Sequence, residues 1–187
     1  DYYCVTDSMG VNLAKKRITQ SGKGKGEVNY DVIGYYPFVN YIGDVNSFNF
    51  EVSADQSKAA GNGEMSGYEK SDFLWAKKTK ALPTDGQIYL NFEHRLAGLK
   101  IVLQQVEGLT SEEWSKLKRA VTIENTALSA HSNINTGIAT PLETDGRSII
   151  AAPQGDDIYR AITIPQTVDG GKSLIGVTID GVSYKYA

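Results

Sequence analysis

The chain has 187 residues, 41% hydrophobic and 22% charged, enough for one large domain or two small ones with a buried core, and too apolar for disorder. Its net charge of −3, from 19 basic and 22 acidic side chains, lacks the basic excess on which phosphate neutralisation depends, so no nucleic-acid partner is expected. No run approaches the ~20 apolar residues of a membrane span, and a single cysteine, Cys4, allows neither an internal disulfide nor a thiolate metal cluster.

In chain order, residues 1–5 (Asp-Tyr-Tyr-Cys-Val) read as a strand. The first residue is not methionine and no apolar signal region follows, which suggests a processed or trimmed product. Lys15-Lys16-Arg17 is a basic cluster suited to an exposed edge, with a trypsin-like processing site as the alternative. Residues 21–26 (Ser-Gly-Lys-Gly-Lys-Gly) form a solvated loop by composition, with no helix start behind them to present amides to a phosphate. Phe48, Phe50 and Val52 alternate with Asn49 and Glu51, the period of a strand with one face on a core. Residues 59–67 read as a loop, and Lys77-Lys78-Thr79-Lys80 as a second lysine-protected edge.

Alternation returns at Ile88, Leu90 and Phe92, and again at Leu99, Ile101 and Leu103, predicting two more strands. Thr110 and Glu113 then have the spacing of a capping box, with acids early and bases late, predicting one short helix near 111–119 that packs on a sheet through Trp114 and Leu117. Val121 and Ile123 begin the next strand. Residues 133–147 are polar and carry Pro141 and Asp145-Gly146, which puts a domain boundary near residue 128. Finally, the apolar run 174–179 meets 182–186 across Asp180-Gly181, the strongest hairpin signal in the chain. Glycine (19) and tyrosine (11) are abundant, as in turn-rich β proteins. The fold class is therefore all-β.

Reactive constellations are lacking. Gly170-Gly171-Lys172-Ser173 has Gln166 where a phosphate-binding loop needs glycine, and a strand follows instead of a helix. His94 and His131 have no nearby metal-ligand spacing, and His94 is expected to be a structural histidine bonded to backbone. There is no Gly-x-Ser-x-Gly elbow, and Cys4 has no histidine near it in sequence. The acid pairs Asp156-Asp157 and Glu112-Glu113 read as solvated surface. Tyr35, Tyr36, Tyr41, Tyr184 and Tyr186 suit the rim of a β core, or a sugar-stacking platform. No catalytic, cofactor-binding or metal-ligating residue is assigned, ligand-binding residues are left open, and no enzymatic activity is expected.

Several phrases in fixed order carry a resemblance: Gly34-Tyr35-Tyr36-Pro37-Phe38, Phe50-Glu51-Val52-Ser53-Ala54-Asp55-Gln56-Ser57, Ser71-Asp72-Phe73-Leu74-Trp75-Ala76, Leu90-Asn91-Phe92-Glu93-His94-Arg95-Leu96, Asn135-Thr136-Gly137, Ile164-Pro165-Gln166-Thr167-Val168 and Gly181-Val182-Ser183-Tyr184-Lys185-Tyr186. From about Val32 onward the chain resembles the fimbrillin-like (Mfa-like) pilus subunits of Bacteroidales type V pili. That resemblance implies two transthyretin-like β-sandwich domains (1–128 and 129–187, the second incomplete) and export as an outer-membrane lipoprotein. It also implies a structural, adhesive role in a cell-surface fimbria, with other pilus subunits as head-to-tail partners and surface receptors or glycans as further ones. Arg-directed proteolysis would remove a first strand, and a neighbouring subunit would donate a strand into the groove left behind. The lipid-bearing cysteine of that family is not matched by Cys4, and no further glycine-lysine-tyrosine strand follows Tyr186. Residues 1–5 and 182–186 are expected beside an open sheet edge. The alternative reading is a carbohydrate-binding β-sandwich module on the cell surface.

Overall fold

A computed structural model describes residues 2–6, 12–16, 30–37, 44–81, 88–143 and 146–187. Its strands in chain order are β1 (Tyr2–Thr6), β2 (Asn12–Lys16), β3 (Tyr30–Tyr36), β4 (Phe48–Glu51), β5 (Leu74–Ala81), β6 (Glu93–His94), β7 (Ala97–Val102) and β8 (Arg119–Glu124). There follow β9 (Ser129–Asn133), β10 (Ile138–Pro141), β11 (Ser148–Ile150), β12 (Ala152–Pro153), β13 (Ile158–Thr163), β14 (Ile175–Ile179) and β15 (Val182–Tyr186). Two short helices, α1 (Gly67–Lys70) and α2 (Ser111–Lys116), interrupt them. The all-β reading holds.

Two compact units emerge. One comprises Asp1–Phe48, Asp72–Arg95 and Ser132–Ile138; the other comprises Asn49–Ser71, Leu96–His131 and Ala139–Ala187. The units follow three-dimensional contact rather than a single cut near residue 128, and the chain passes between them within β4, β9 and β10.

The first unit is built on a five-stranded sheet in the order β1-β2-β3-β5-β6, with β1 outermost. Tyr35, Phe48 and Phe73 form its aromatic core, with ring centroids 6.5 Å apart for Tyr35–Phe48 and 6.1 Å for Phe48–Phe73. Lys15 and Lys16 fall in β2, and Lys77, Lys78 and Lys80 in β5; Arg17 and residues 21–26 lie outside the described residues. The alternation at 88–92 is not a strand. Its apolar residues Leu90 and Phe92 pack against Gly34 of β3, where an added Cβ would come within 2.6 Å of the Phe92 ring. The period reports packing on a glycine, and only Glu93 and His94 pair with β5.

The second unit is a sandwich of two layers. One is the sheet β11-β8-β14-β15 and the other β12-β13-β7. Val121, Ile123, Ile149, Ala161 and Val177 are buried between them, and the Tyr159 hydroxyl of β13 donates to the Arg119 carbonyl of β8 at 3.2 Å. The hairpin signal was read correctly: β14 and β15 pair from Ile175↔Tyr186 to Ile179↔Val182, with Asp180 and Gly181 at φ 46° and 85°. Helix α2 also stands where expected, although it ends at Lys116. Thr110 accepts from the Glu113 N–H at 3.2 Å, and the Glu113 carboxylate accepts from the Thr110 N–H at 2.8 Å. Its buried Trp114 donates to Asp157, and the Arg119 guanidinium lies 4.6 Å from the Trp114 ring centre.

Gln56 has no counterpart in the sequence reading. Strand β12 covers β13 only at Tyr159 and Arg160. Beyond that point the buried Gln56 amide takes over, accepting from the Ile162 N–H at 2.8 Å and donating to the Ile162 carbonyl at 2.7 Å. One side chain thus completes a ladder that the short strand leaves open. Replacing Gln56 with leucine strands two buried backbone groups at about 1–3 kcal/mol each. Urea denaturation should therefore show a midpoint well below wild type with an unchanged m-value.

Candidate assembly edge

The two layers of the sandwich join at one corner, because β11 and β12 are separated in sequence only by Ala151 and belong to different sheets. From that corner one layer runs β11, β8, β14, β15 and the other β12, β13, β7. The layers are therefore four strands against three, and the place beyond β7 lies opposite β15. Among the described residues no strand occupies it.

The side chains agree with this count. Directly paired residues share a face of a sheet, so the core face of β8 continues from Ile123 to Ile175 to Tyr186, and from Val121 to Val177 to Tyr184. Burial fades along that row. Val121 and Ile123 are fully buried and Val177 is 7% exposed, whereas Val182, Tyr184 and Tyr186 are 55%, 47% and 58% exposed. The inner face of β15 is an apolar row with nothing over it among the described residues. Across the gap, β7 turns Ala97, Leu99 and Ile101 inward, and all three are only half-buried. Between the layers runs an apolar groove of about 560 Å³, lined by Leu99, Ile123, Ile164, Pro165, Val168 and Leu174 among others. The edge of β7 away from β13 carries no partner strand among the described residues.

What holds β15 in place is its other face. Gly176 of β14 pairs with both Thr122 of β8 and Lys185 of β15. Without a side chain at Gly176, Lys185 reaches across β14 to Glu124, Nζ to Oε2 at 2.7 Å. A Cβ at that glycine would collide with the Thr122 hydroxyl and the Glu124 carboxylate. Glu124 also accepts from Ser173 at 3.1 Å and Thr122 at 3.3 Å. Its carboxyl sits below the ordinary 4.5, first because it accepts a hydrogen bond from Lys185; burial opposes this, and Ser173, the Lys185 charge and Thr122 add to it.

The residues singled out by sequence fall elsewhere. Asp157, Glu112 and Glu113 are occupied by Trp114 and Arg119, by Lys116, and by the Thr110 cap respectively, so neither acid pair is free for chemistry. Arg119 Nε lies 2.9 Å from Asp157 Oδ1 as an ion pair, without hydrogen-bond alignment. Residues Gly170 to Ser173 form a turn before β14, not a phosphate loop. His94 is 73% exposed at its side chain and pairs through Nδ1 with the Asp72 carboxylate at 2.9 Å; the expected backbone partner is replaced by a carboxylate. His131 lies in β9 of the second unit, and no cluster of three or more metal-ligating side chains exists among the described residues. Tyr35 is part of the first unit's core, so it cannot serve a stacking platform, while Tyr184 and Tyr186 belong to the open face. Tyr41 lies outside the described residues, and Cys4 is placed on β1 by its backbone.

The fimbrillin-like family pattern matches residues 24–187. The chain belongs to the fimbrillin-like family. No curated protein matches it. Among solved structures, the fimbrillin-like chain is similar to a Bacteroides uniformis protein assigned to cell adhesion (TM-score 0.62, 22% identity, 84% of this chain and 58% of that one). It is also similar to a protein of Bacteroides ovatus with the same assignment (TM-score 0.60, 18% identity, 94% and 66%). A third, from Bacteroides thetaiotaomicron and likewise assigned, gives a TM-score of 0.56 at 13% identity over 94% and 68%. At these identities the likeness establishes a common fold. The fimbrillin-like chain spans 58% of the length of the first of them. No helix among the described residues is long and apolar enough to cross a membrane.

Because the folded carboxyl of Glu124 is lowered, its contribution is fully present above about pH 4.5 and is lost as pH falls through the lowered value. Lys185 is 62% exposed, which limits the pair to below about 1 kcal/mol. Lys185→Met should melt earlier than wild type at pH 7, and the gap should narrow as the pH is taken below 4.5, measured by thermal unfolding monitored by circular dichroism.

Proposed function

We propose that this chain is a structural and adhesive subunit of a cell-surface fimbria, joined head to tail to other subunits by strand donation. The observation that carries the reading is that, among the described residues, no strand lies beyond β7, with an apolar groove of about 560 Å³ beside it and the exposed row Val182, Tyr184 and Tyr186 opposite. A strand from another copy, laid along β7, pairs its backbone with the open edge and sends alternate side chains into the groove, which is β-augmentation. Each apolar side chain so buried contributes on the order of 1.5–3 kcal/mol, and the backbone pairing along β7 adds to this against the entropy cost of association. The joint connects unlike surfaces, so repetition gives an open filament instead of a closed dimer. Membership of the fimbrillin-like family supports the same assignment, as does the kinship in fold with proteins assigned to cell adhesion. Outer-membrane display through a lipid anchor belongs to this reading.

Analytical ultracentrifugation with negative-stain microscopy tests it. The wild-type chain should form concentration-dependent linear assemblies. Leu99→Lys, which places a charge in the groove at a half-buried position, should remain monomeric with an unchanged circular-dichroism spectrum. A wild-type chain that stays monomeric at every concentration, or assemblies indifferent to the Leu99 substitution, would overturn strand donation at this edge.

A further inference from the structure

The first unit carries a second opening of a different character. Strand β5 pairs with β6 only at Leu74↔His94 and Trp75↔Glu93. Residues 88–92 then leave the sheet edge to pack over Gly34, and the divergence opens a cleft of about 370 Å³. Its walls are polar, formed by Trp75, Lys77, Lys78, Tyr89, Asn91 and Glu93 among others. The size falls within the range of small-molecule sites.

Trp75 is a fixed wall. Its indole N–H donates to the Ile134 carbonyl at 2.6 Å, and the Arg95 guanidinium sits 5.1 Å from its ring centre. Gly137 lies so close to the ring that a Cβ there would fall within 2.5 Å of it. Tyr89 also lines the cleft and is 70% exposed. The charges do not cancel. Lys77 Nζ donates to the Asn135 carbonyl at 3.1 Å and Lys78 Nζ to the Tyr89 carbonyl at 3.4 Å. Each ammonium has three protons and spends one on a neutral acceptor. Glu93, the acid of the cleft, is engaged by Arg95 at 3.2 Å. Among the described residues neither lysine has a carboxylate partner.

We propose that this cleft binds an acidic saccharide. A uronate or sialate carboxylate would meet the Lys78 ammonium, which already reaches the cleft wall at the Tyr89 carbonyl, hydroxyls would meet the Asn91 amide, and a ring face would stack on Tyr89. The Lys78 ammonium selects the carboxylate, since a charge-assisted hydrogen bond is about twice as strong as a neutral one. An aromatic ring beside convergent polar groups suits a sugar, with its apolar CH face and polar rim, better than a bare anion. The site lies within the first unit and does not depend on strand donation to the second.

The test is isothermal titration of the whole chain with an oligogalacturonate and sialyllactose, against lactose and maltotetraose as neutral sugars and tripolyphosphate as charge alone. One or both acidic sugars should bind, weakening with salt, while the neutral sugars and tripolyphosphate do not. The double variant Lys77→Ala/Lys78→Ala and, separately, Tyr89→Ala should each lose about tenfold or more in affinity. Asn91→Ala, which leaves the charges in place, should lose less than the double variant, and circular dichroism should show all variants folded. Absence of binding to both acidic sugars, equal binding of tripolyphosphate, preference for neutral sugars, or affinity unchanged in the variants would overturn the proposal. None of these results bears on the Leu99→Lys assembly measurement, so the two readings fail separately.

Discussion

Two stacked sheets of unequal width cannot both be satisfied. In the second unit a four-strand layer faces a three-strand layer, and the corner between β11 and β12 fixes which side the shortfall falls on. Among the described residues, the last strand of the wide layer then shows its core face to solvent, while the last strand of the narrow layer has no partner along its outer edge. Both costs have one remedy, an additional strand beside β7. Apolar burial and backbone pairing would then be gained in the same event.

That condition explains why β15 is anchored from its outer face. Its inner residues gain little where they stand, so the strand depends on its ladder to β14 and on the reach of Lys185 over Gly176 to Glu124. A larger residue at position 176 would block that reach and press on Thr122. Small size at one strand position thus links three strands through polar groups, while the other face of β15 is uncovered among the described residues. The buried end of the same sandwich uses the opposite device. There Gln56 takes the place of a strand that ends early, and the ladder closes within the chain. One end is thus closed within the chain, while the other shows no covering strand among the described residues.

Much of this was legible in the sequence where local rules dominate. Period-two alternation located β4, β7 and β8, Asp180-Gly181 marked the last hairpin, and Thr110 with Glu113 announced α2. The failures share a cause. Residues 88–92 alternate because Leu90 and Phe92 need the space above Gly34, a contact between segments more than fifty positions apart. His94 has a carboxylate partner 22 positions away, and the amide of Gln56 serves a residue 106 positions along. Gly176 in sequence is one small residue in an apolar run; its value depends on which strands flank it. The open edge itself is a property of strand order, which alternation cannot encode.

The cleft of the first unit shows how a site arises from the same misread segment. Had residues 88–92 continued the ladder with β5, the backbone beyond Trp75 would be paired and no cleft would exist. Packing of Leu90 and Phe92 over Gly34 draws the segment off the edge, and the alternate residues Tyr89, Asn91 and Glu93 are thereby turned outward. On β5, Lys78, placed where lysine guards an exposed edge against pairing, also reaches the wall of that cleft at the Tyr89 carbonyl. A positive, aromatic-lined notch is a poor template for another strand, because lysines discourage backbone pairing. It is a good receptor for a hydrated anion with a flat apolar face. The two openings therefore differ in chemistry as well as in place: one is apolar and has the form a donated strand would fit, the other is charged and polar and has the form a sugar acid would fit.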